Sequence, residues 1–155
     1  MFSSALQTPL SGRHATVAAV EMERALEFVR EHRDAVMQTY RRDGSPQLSP
    51  ITCAVDADGL IAVSTRETAI KAKNLRRDPR VSLCVVSEGF YGEWIQVDGR
   101  AEIVSLPDAM DHLVEYYRTL RGEHPDWDDY RAAMVRDQRC IVRITPERAG
   151  PDRAG

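Results

Sequence analysis

Ile61-Ala62-Val63-Ser64-Thr65-Arg66-Glu67-Thr68-Ala69-Ile70-Lys71-Ala72-Lys73-Asn74-Leu75-Arg76-Arg77-Asp78-Pro79-Arg80 joins an apolar strand, two hydroxyl residues and a short basic helix. The strand occupies residues 60–65, and helical character is expected from Thr68 onward. Asp78-Pro79 ends it, because the residue before proline disfavours the α conformation. A helix start leaves backbone N–H groups unpaired and carries a partial positive charge, which makes it a seat for an anion. From Arg66 to Arg80 six cations face two acids, whereas the whole chain has a net charge of −3. Of the 21 basic residues only Lys71 and Lys73 are lysines, so the compact ammonium groups sit together on this helix. A solvated basic face would show the same charge, and both readings stand on residue types alone.

Upstream, Arg42-Asp43-Gly44-Ser45 and Asp56-Ala57-Asp58-Gly59 carry turn chemistry between strand-like runs at 34–40, 47–55 and 60–65. Three strands joined by such turns predict an antiparallel meander rather than a βαβ unit. Pro46 and Pro50 bracket Gln47-Leu48-Ser49, and proline cannot donate to a ladder. That strand is expected to be kinked or to lie at an edge, where backbone groups could read a planar heterocycle. An amphipathic helix over 20–32, with Ala25, Phe28 and Val29 on one face, precedes the strands, and residues 1–19 read as a loose arm.

Downstream, 80–86 is a strongly apolar strand, and a turn containing Phe90, Tyr91 and two glycines leads to a strand over 94–104. Gly99 is the expected bulge point. Trp94 suits a core or rim position, or one wall of a flat ligand site. Helices follow over 107–120 and, starting in Pro125-Asp126-Trp127-Asp128-Asp129-Tyr130, to about Asp137, then a strand over 140–145 closes the sheet and a polar tail spans 148–155.

A 155-residue chain of 17.5 kDa makes one domain, here read as residues 20–147, able to bury about 70% of its unfolded surface. A pI near 5.8 argues against a nucleic-acid partner. Cys53, Cys84 and Cys140 sit apart in apolar runs, which favours buried free thiols over disulfides. No stretch approaches the ~20 apolar residues of a membrane span, and no signal-peptide pattern opens the chain, so a cytoplasmic, non-membrane protein is expected. Dinucleotide, Walker, nucleophile-elbow and zinc motifs are absent. The acids around Glu123, His124, Asp126, Asp128 and Asp129 are explained by a helix start, so no metal is assigned.

The order helix, three strands, basic helix, two strands, helix pair and final strand is one part of a resemblance. The residues Asp43-Gly44-Ser45-Pro46-Gln47-Leu48-Ser49-Pro50, Val63-Ser64-Thr65, Lys71 through Arg80 and Gly122 through Arg131 are the other. Together the chain resembles the pyridoxamine 5′-phosphate oxidase-like family, and within it the actinobacterial branch that uses the deazaflavin coenzyme F-420. The resemblance implies an α+β fold: an antiparallel six-stranded split β-barrel flanked by short helices, in a homodimer with a cofactor cleft at the interface. It implies that Gln47, Leu48, Ser49 and Pro50 lie along the tricyclic ring, and that Ser64, Thr65, Ile70 and Lys71 hold the phosphate. Gly92, Glu93, Trp94 and Ile95 would come from the other subunit. Many relatives carry arginine two positions before the lysine, where this chain has Ala69, and Arg66 or Lys73 would supply that charge. The implied function is hydride transfer from reduced coenzyme F-420 to an unsaturated or heteroaromatic small molecule. An FMN-binding oxidase and a non-catalytic cofactor carrier are the alternatives. No catalytic side chain is assigned, since such cofactors carry the chemistry themselves.

Overall fold

Asp34–Tyr40 (β1) and Pro46–Thr52 (β2) form a hairpin that runs from Tyr40 opposite Pro46 to Asp34 opposite Thr52. Its turn needs a left-handed residue, and Gly44 takes φ +84° there. Asp43 Oδ1 locks the turn by accepting from the Ser45 N–H (3.0 Å) and hydroxyl (2.6 Å), which holds the Asp43 carboxyl below its usual range. On its other side β1 pairs with Arg80–Val86 (β5), and β5 pairs with Trp94–Val104 (β6). Arg139–Asp152 (β7) lies along β6, Ile61–Arg66 (β4) along β7, and Ala54–Val55 (β3) along β4. All pairings are antiparallel, in the order β2-β1-β5-β6-β7-β4-β3. The helices are Ser11–Glu31 (α1), Ile70–Arg77 (α2), Met110–Arg121 (α3) and Trp127–Arg136 (α4). This computed structural model describes residues 11–89 and 91–152, and the backbone alone for residues 11–20.

β2 and β3 stand at opposite ends of that order, yet only Cys53 separates them along the chain. The sheet must therefore curl until its two ends meet, and the result is the α+β split β-barrel in half-barrel form. Cys53 is fully buried, and its N–H leaves the ladder to bond the Arg33 carbonyl at 2.8 Å. The expected single strand over 47–55 is thus two strands. The count is seven rather than six, and the expected meander is corrected to two hairpins on opposite ends of the sheet. The expected polar tail is corrected as well, since β7 runs through Asp152 and pairs with the first half of β6. Part of the expected arm is helical, because α1 starts at Ser11, while residues 1–10, Phe90 and residues 153–155 lie outside the described residues.

One apolar cluster fills the concave side: Met37, Ile61, Leu83, Val97 and Ile144, capped by Ala25, Leu26 and Val29 of α1. A second joins Ala62 and Ile141 on the convex side of β4 and β7 to Leu113 and Val114 of α3 and Tyr130 of α4. Burying each large aliphatic side chain contributes about 1.5–3 kcal/mol. α4 is started by Asp126, whose side chain accepts from the Asp129 N–H at 3.0 Å. Of the free cysteines, Cys53 and Cys140 are buried and Cys84 is half-buried. Burial pushes the Cys53 thiol up to about 12 and the Cys140 thiol up to about 11, so neither is a ready nucleophile. The convex faces of β1 and β2 stay uncovered, with Val36 41% and Leu48 60% exposed.

The bend that divides the sheet lies where β6 and β7 shift register beside Asp98 and Gly99. A Cβ on Gly99 would stand 2.3 Å from the Thr145 carbonyl oxygen, a backbone atom that cannot step aside. Gly99→Ala is expected to lower unfolding stability by about 1–3 kcal/mol, the range for overpacking. Urea denaturation checks this, and an unchanged midpoint would contradict the close approach.

Candidate functional site

α2 begins at Ile70, two residues later than its sequence pattern indicates, and Ala69 is its N-cap. Ala69 is extended (φ −65°, ψ 143°), gives no side-chain cap, and no acid occupies the first turn. The N–H of Lys73 is the first to find a helical partner, the Ala69 carbonyl at 3.2 Å. The N–H groups of Ile70, Lys71 and Ala72 therefore precede the helical ladder, with the positive end of the helix behind them. Ile70 is 61% exposed and Lys71 is half-buried beside this tip.

The surrounding cations divide into two groups. Arg76 pairs with the Glu67 carboxylate and donates to Ser105 Oγ at 3.2 Å. Arg77 donates to the Tyr40 carbonyl at 2.6 Å, and Arg80 pairs with Asp78 while its guanidinium lies 4.4 Å from the Tyr40 ring centroid. Arg80 holds the Asp78 carboxyl down at about 2. These three hold the fold. Among the described residues, Arg66, Lys71 and Lys73 form no hydrogen bond or ion pair through their side chains. Their charges are left uncommitted within the described chain.

A buried polar chain ties this helix to the strand expected to read a ring. Arg77 donates to Asn74 Oδ1 (2.9 Å), Asn74 Nδ2 to Thr39 Oγ1 (3.1 Å), and the Thr39 hydroxyl to Gln47 Oε1 (3.1 Å). Gln47 Nε2 in turn donates to the Leu48 carbonyl at 3.0 Å. Thr39 is 0% and Asn74 4% exposed, so each must find its partners inside the protein.

β2 pairs with β1 alone in the sheet order, so its other edge is open to the split. Neighbouring antiparallel residues alternate between bonding inward and facing away. Pro46 and Pro50 lack an N–H, so the bonded set with β1 is Gln47, Ser49 and Ile51, and the even residues face the split. The Pro46 carbonyl accepts from Arg41, and the Thr52 carbonyl from the Tyr116 hydroxyl at 2.8 Å. The Ser64 N–H of β4 faces the same phenol, so Tyr116 spans one end of the split between β2 and β4. Side-chain alternation turns Gln47 and Ser49 inward and leaves Leu48 and Pro50 exposed. Ser49 Oγ is buried without a hydrogen-bond partner.

Gln47–Pro50 and Ser64–Lys71 thus come to the two sides of one split. Thr65 is 5% exposed and lies opposite Cys140 of β7, so its backbone bonds away from the split. Gly92, Glu93, Trp94 and Ile95 are not brought to that place within one chain. They form the end of the β5–β6 hairpin, where the Ser87 N–H donates to the Glu93 carbonyl at 2.8 Å and Trp94 lies opposite Val86. The Ile95 side chain is 5% exposed and belongs to the core. The acids near α4 serve local structure: Glu123 accepts from Arg118 (2.7 Å) and from the Trp127 indole (3.0 Å). Sequence reasoning missed Thr39, Asn74 and Tyr116. A polar Thr39 on the inward register of β1 and an asparagine inside a short helix were the available signals.

A split barrel with an anion-receptive helix tip at its opening defines a class of cofactor-binding folds, and comparison with known proteins narrows it. The profile of the pyridoxamine 5′-phosphate oxidase family matches residues 22–151, so the chain belongs to that family. Its members bind flavins or deazaflavins and include oxidoreductases. Among solved structures the chain is similar to a conserved hypothetical protein of Mycobacterium tuberculosis. They share 31% identity with a TM-score of 0.67, over 82% of this chain and 81% of that one. It is similar to an F-420 reductase at 21% identity and a TM-score of 0.61, over 80% and 94%. A heme-binding protein from Mycobacterium smegmatis matches at 16% identity and a TM-score of 0.61, over 83% and 52%. At these identities the last two attest the fold. Among the described residues no helix is long and apolar enough to cross a membrane.

Thr39→Val keeps the shape but removes the hydroxyl at the centre of the polar chain, leaving the Asn74 amide and Gln47 carbonyl unpaired. The expected loss is about 1–3 kcal/mol in urea unfolding. A loss within error of zero would show that the chain is not a working connection.

Proposed function

We propose that this protein binds coenzyme F-420 in a cleft at a homodimer interface and acts as a reductase on an unsaturated or heteroaromatic small molecule. The observation that carries the reading is the uncapped, acid-free tip of α2 with Arg66, Lys71 and Lys73 uncommitted around it. A phosphate there would gain backbone N–H bonds, the helix dipole and an ammonium point charge. Arg66 and Lys73 both remain for the charge of the family arginine replaced by Ala69. Together with Lys71 they suit a polyanionic tail better than a single phosphate.

The residues fit the group. Ser64, Ile70 and Lys71 would hold the phosphate, with Thr65 fixing the strand end behind them. Gln47, Leu48, Ser49 and Pro50 would border the ring, with the Leu48 N–H and Pro50 carbonyl on the open strand edge. Gly92, Glu93 and Trp94 of a second copy would complete the wall, with Ile95 anchoring their strand in the core. When bound, the cofactor supplies the hydride. The protein's part is to orient the ring, exclude water and hold the acceptor, and no side chain is required as an acid.

Fluorescence titration with coenzyme F-420 and FMN side by side tests this. Tighter binding of F-420 is expected. Lys71→Ala should weaken it by about 1.5–3 kcal/mol, the worth of a hydrogen bond to a charged group. Equal affinity for the variant at moderate salt would remove Lys71 from the site, and tighter FMN binding would replace the deazaflavin reading. Anaerobic mixing of the reduced complex with a broad acceptor panel separates enzyme from carrier: reoxidation by an acceptor supports the reductase, and none by any acceptor supports the carrier.

A further inference from the structure

α3 and α4 do not seal the convex side of the barrel completely. Between them and the ends of β1, β2 and β5 lies a cleft of about 800 Å³, within the size range of small-molecule sites. Thr52 and Ser64, the two residues bridged by Tyr116, lie on its wall, so the cleft borders the closed end of the split. Tyr116, Tyr117 and Tyr130 supply aromatic surface. The Tyr116 hydroxyl is committed to the Thr52 carbonyl, and the Tyr130 hydroxyl donates to the Leu113 carbonyl at 2.7 Å. Both hydroxyls are thus already committed within the protein.

Arg139, the first residue of β7, differs from most arginines of this chain. Its Nε is shut off from water and has no hydrogen-bond partner. Among the described residues its side chain makes no ion pair either. Yet it is near enough to oppose the burial that pushes the Tyr130 phenol up to about 12 and that raises Tyr116. Arg121, also on the cleft, is likewise uncommitted. The third arginine, Arg33, already donates to the Leu120 carbonyl at 2.9 Å. Three acids line the cleft too, at the end of α1, at the start of β1 and just after β5. Glu31 is 3.9 Å from His32, Asp34 accepts from Thr52 Oγ1 at 3.5 Å, and Glu88 follows β5.

A guanidinium N–H withdrawn from water without an acceptor costs stability. Because Nε is closed to solvent, an acceptor entering the cleft meets the terminal nitrogens of the same guanidinium, which bond nothing among the described residues, and a carboxylate matches the planar fork of arginine best. Flanking tyrosine rings favour a flat body behind that carboxylate. We infer that this cleft is a binding pocket for planar aromatic or conjugated carboxylic acids, in which Arg139 seats the carboxylate. As the acceptor side of a reductase the pocket rests on the function proposed above, because Thr52 and Ser64 border the split as well. As a binding site it stands without that function.

The test uses the full chain and three acids, each paired with its own neutral amide: benzoate, cinnamate and 2-naphthoate. Calorimetry on the wild type should show at least one acid bound at least tenfold more tightly than its amide. Arg139→Gln should abolish the preference, and Arg139→Lys should keep part of it. Resonance shifts in the wild type, which need no variant, should fall on Thr52, Ser64, Tyr117 and the Arg139 Nε–H. Acids bound no better than amides, a preference that survives in folded Arg139→Gln, or shifts that fall elsewhere would each overturn the pocket. Titration of the same preparation with coenzyme F-420 and FMN keeps the two proposals apart. Acid binding without coenzyme binding leaves the pocket and removes the reductase, and coenzyme binding without acid preference does the reverse.

Discussion

The hydroxyl of Thr39 holds the two halves of the proposed site in register. It lies on the inward face of β1, fully buried, accepting from Asn74 of α2 and donating to Gln47 of β2. Neither neighbour could be placed independently. α2 is an eight-residue helix without a side-chain cap, too short to be stable by itself. β2 is an edge strand interrupted by two prolines, with a ladder on one side only. A buried donor and acceptor that must satisfy each other make one rigid unit of elements that local propensity would leave loose.

Curling of the sheet explains why an edge strand is useful here. Strand edges are ordinarily protected because open N–H and C=O groups invite aggregation. In β2 most of the protection is built in, since prolines remove two donors and Arg41, Gln47 and Tyr116 occupy three carbonyls. The groups left over, the Leu48 and Thr52 N–H and the Pro50 carbonyl, face the split rather than another sheet. A flat heteroaromatic ring with alternating donors and acceptors is the ligand such an edge would suit. The N–H groups of the α2 tip that precede its ladder point the same way.

Much of this was legible in residue order. β1, β5 and β6 have the bounds their apolar alternation indicates, and the basic helix follows β4 as its charges imply. The break at Cys53 was not, because the residues on both sides have the same strand character. Only the distant partners β1 and β4 decide where each half bonds. The second half of β7 reads as a polar, proline-containing tail, and it becomes a strand because β6 is long enough to offer it an edge. Among the site residues, charge counting found the α2 tip but overstated its free cations. That Arg76, Arg77 and Arg80 are spent on Glu67, Ser105, Tyr40 and Asp78 follows from tertiary placement. Arg139 and Tyr116 were invisible for the same reason, one reading as a strand-start charge and the other as a helix-face aromatic.

Backbone amide shifts of the full chain, followed as coenzyme F-420 is added, test most directly whether a phosphorylated ring docks at the α2 tip along the β2 edge. The account predicts that the amides of Ile70, Lys71, Ala72 and Leu48 move together with one binding constant. Saturable binding that leaves the amides of Ile70, Lys71 and Ala72 unmoved would contradict it.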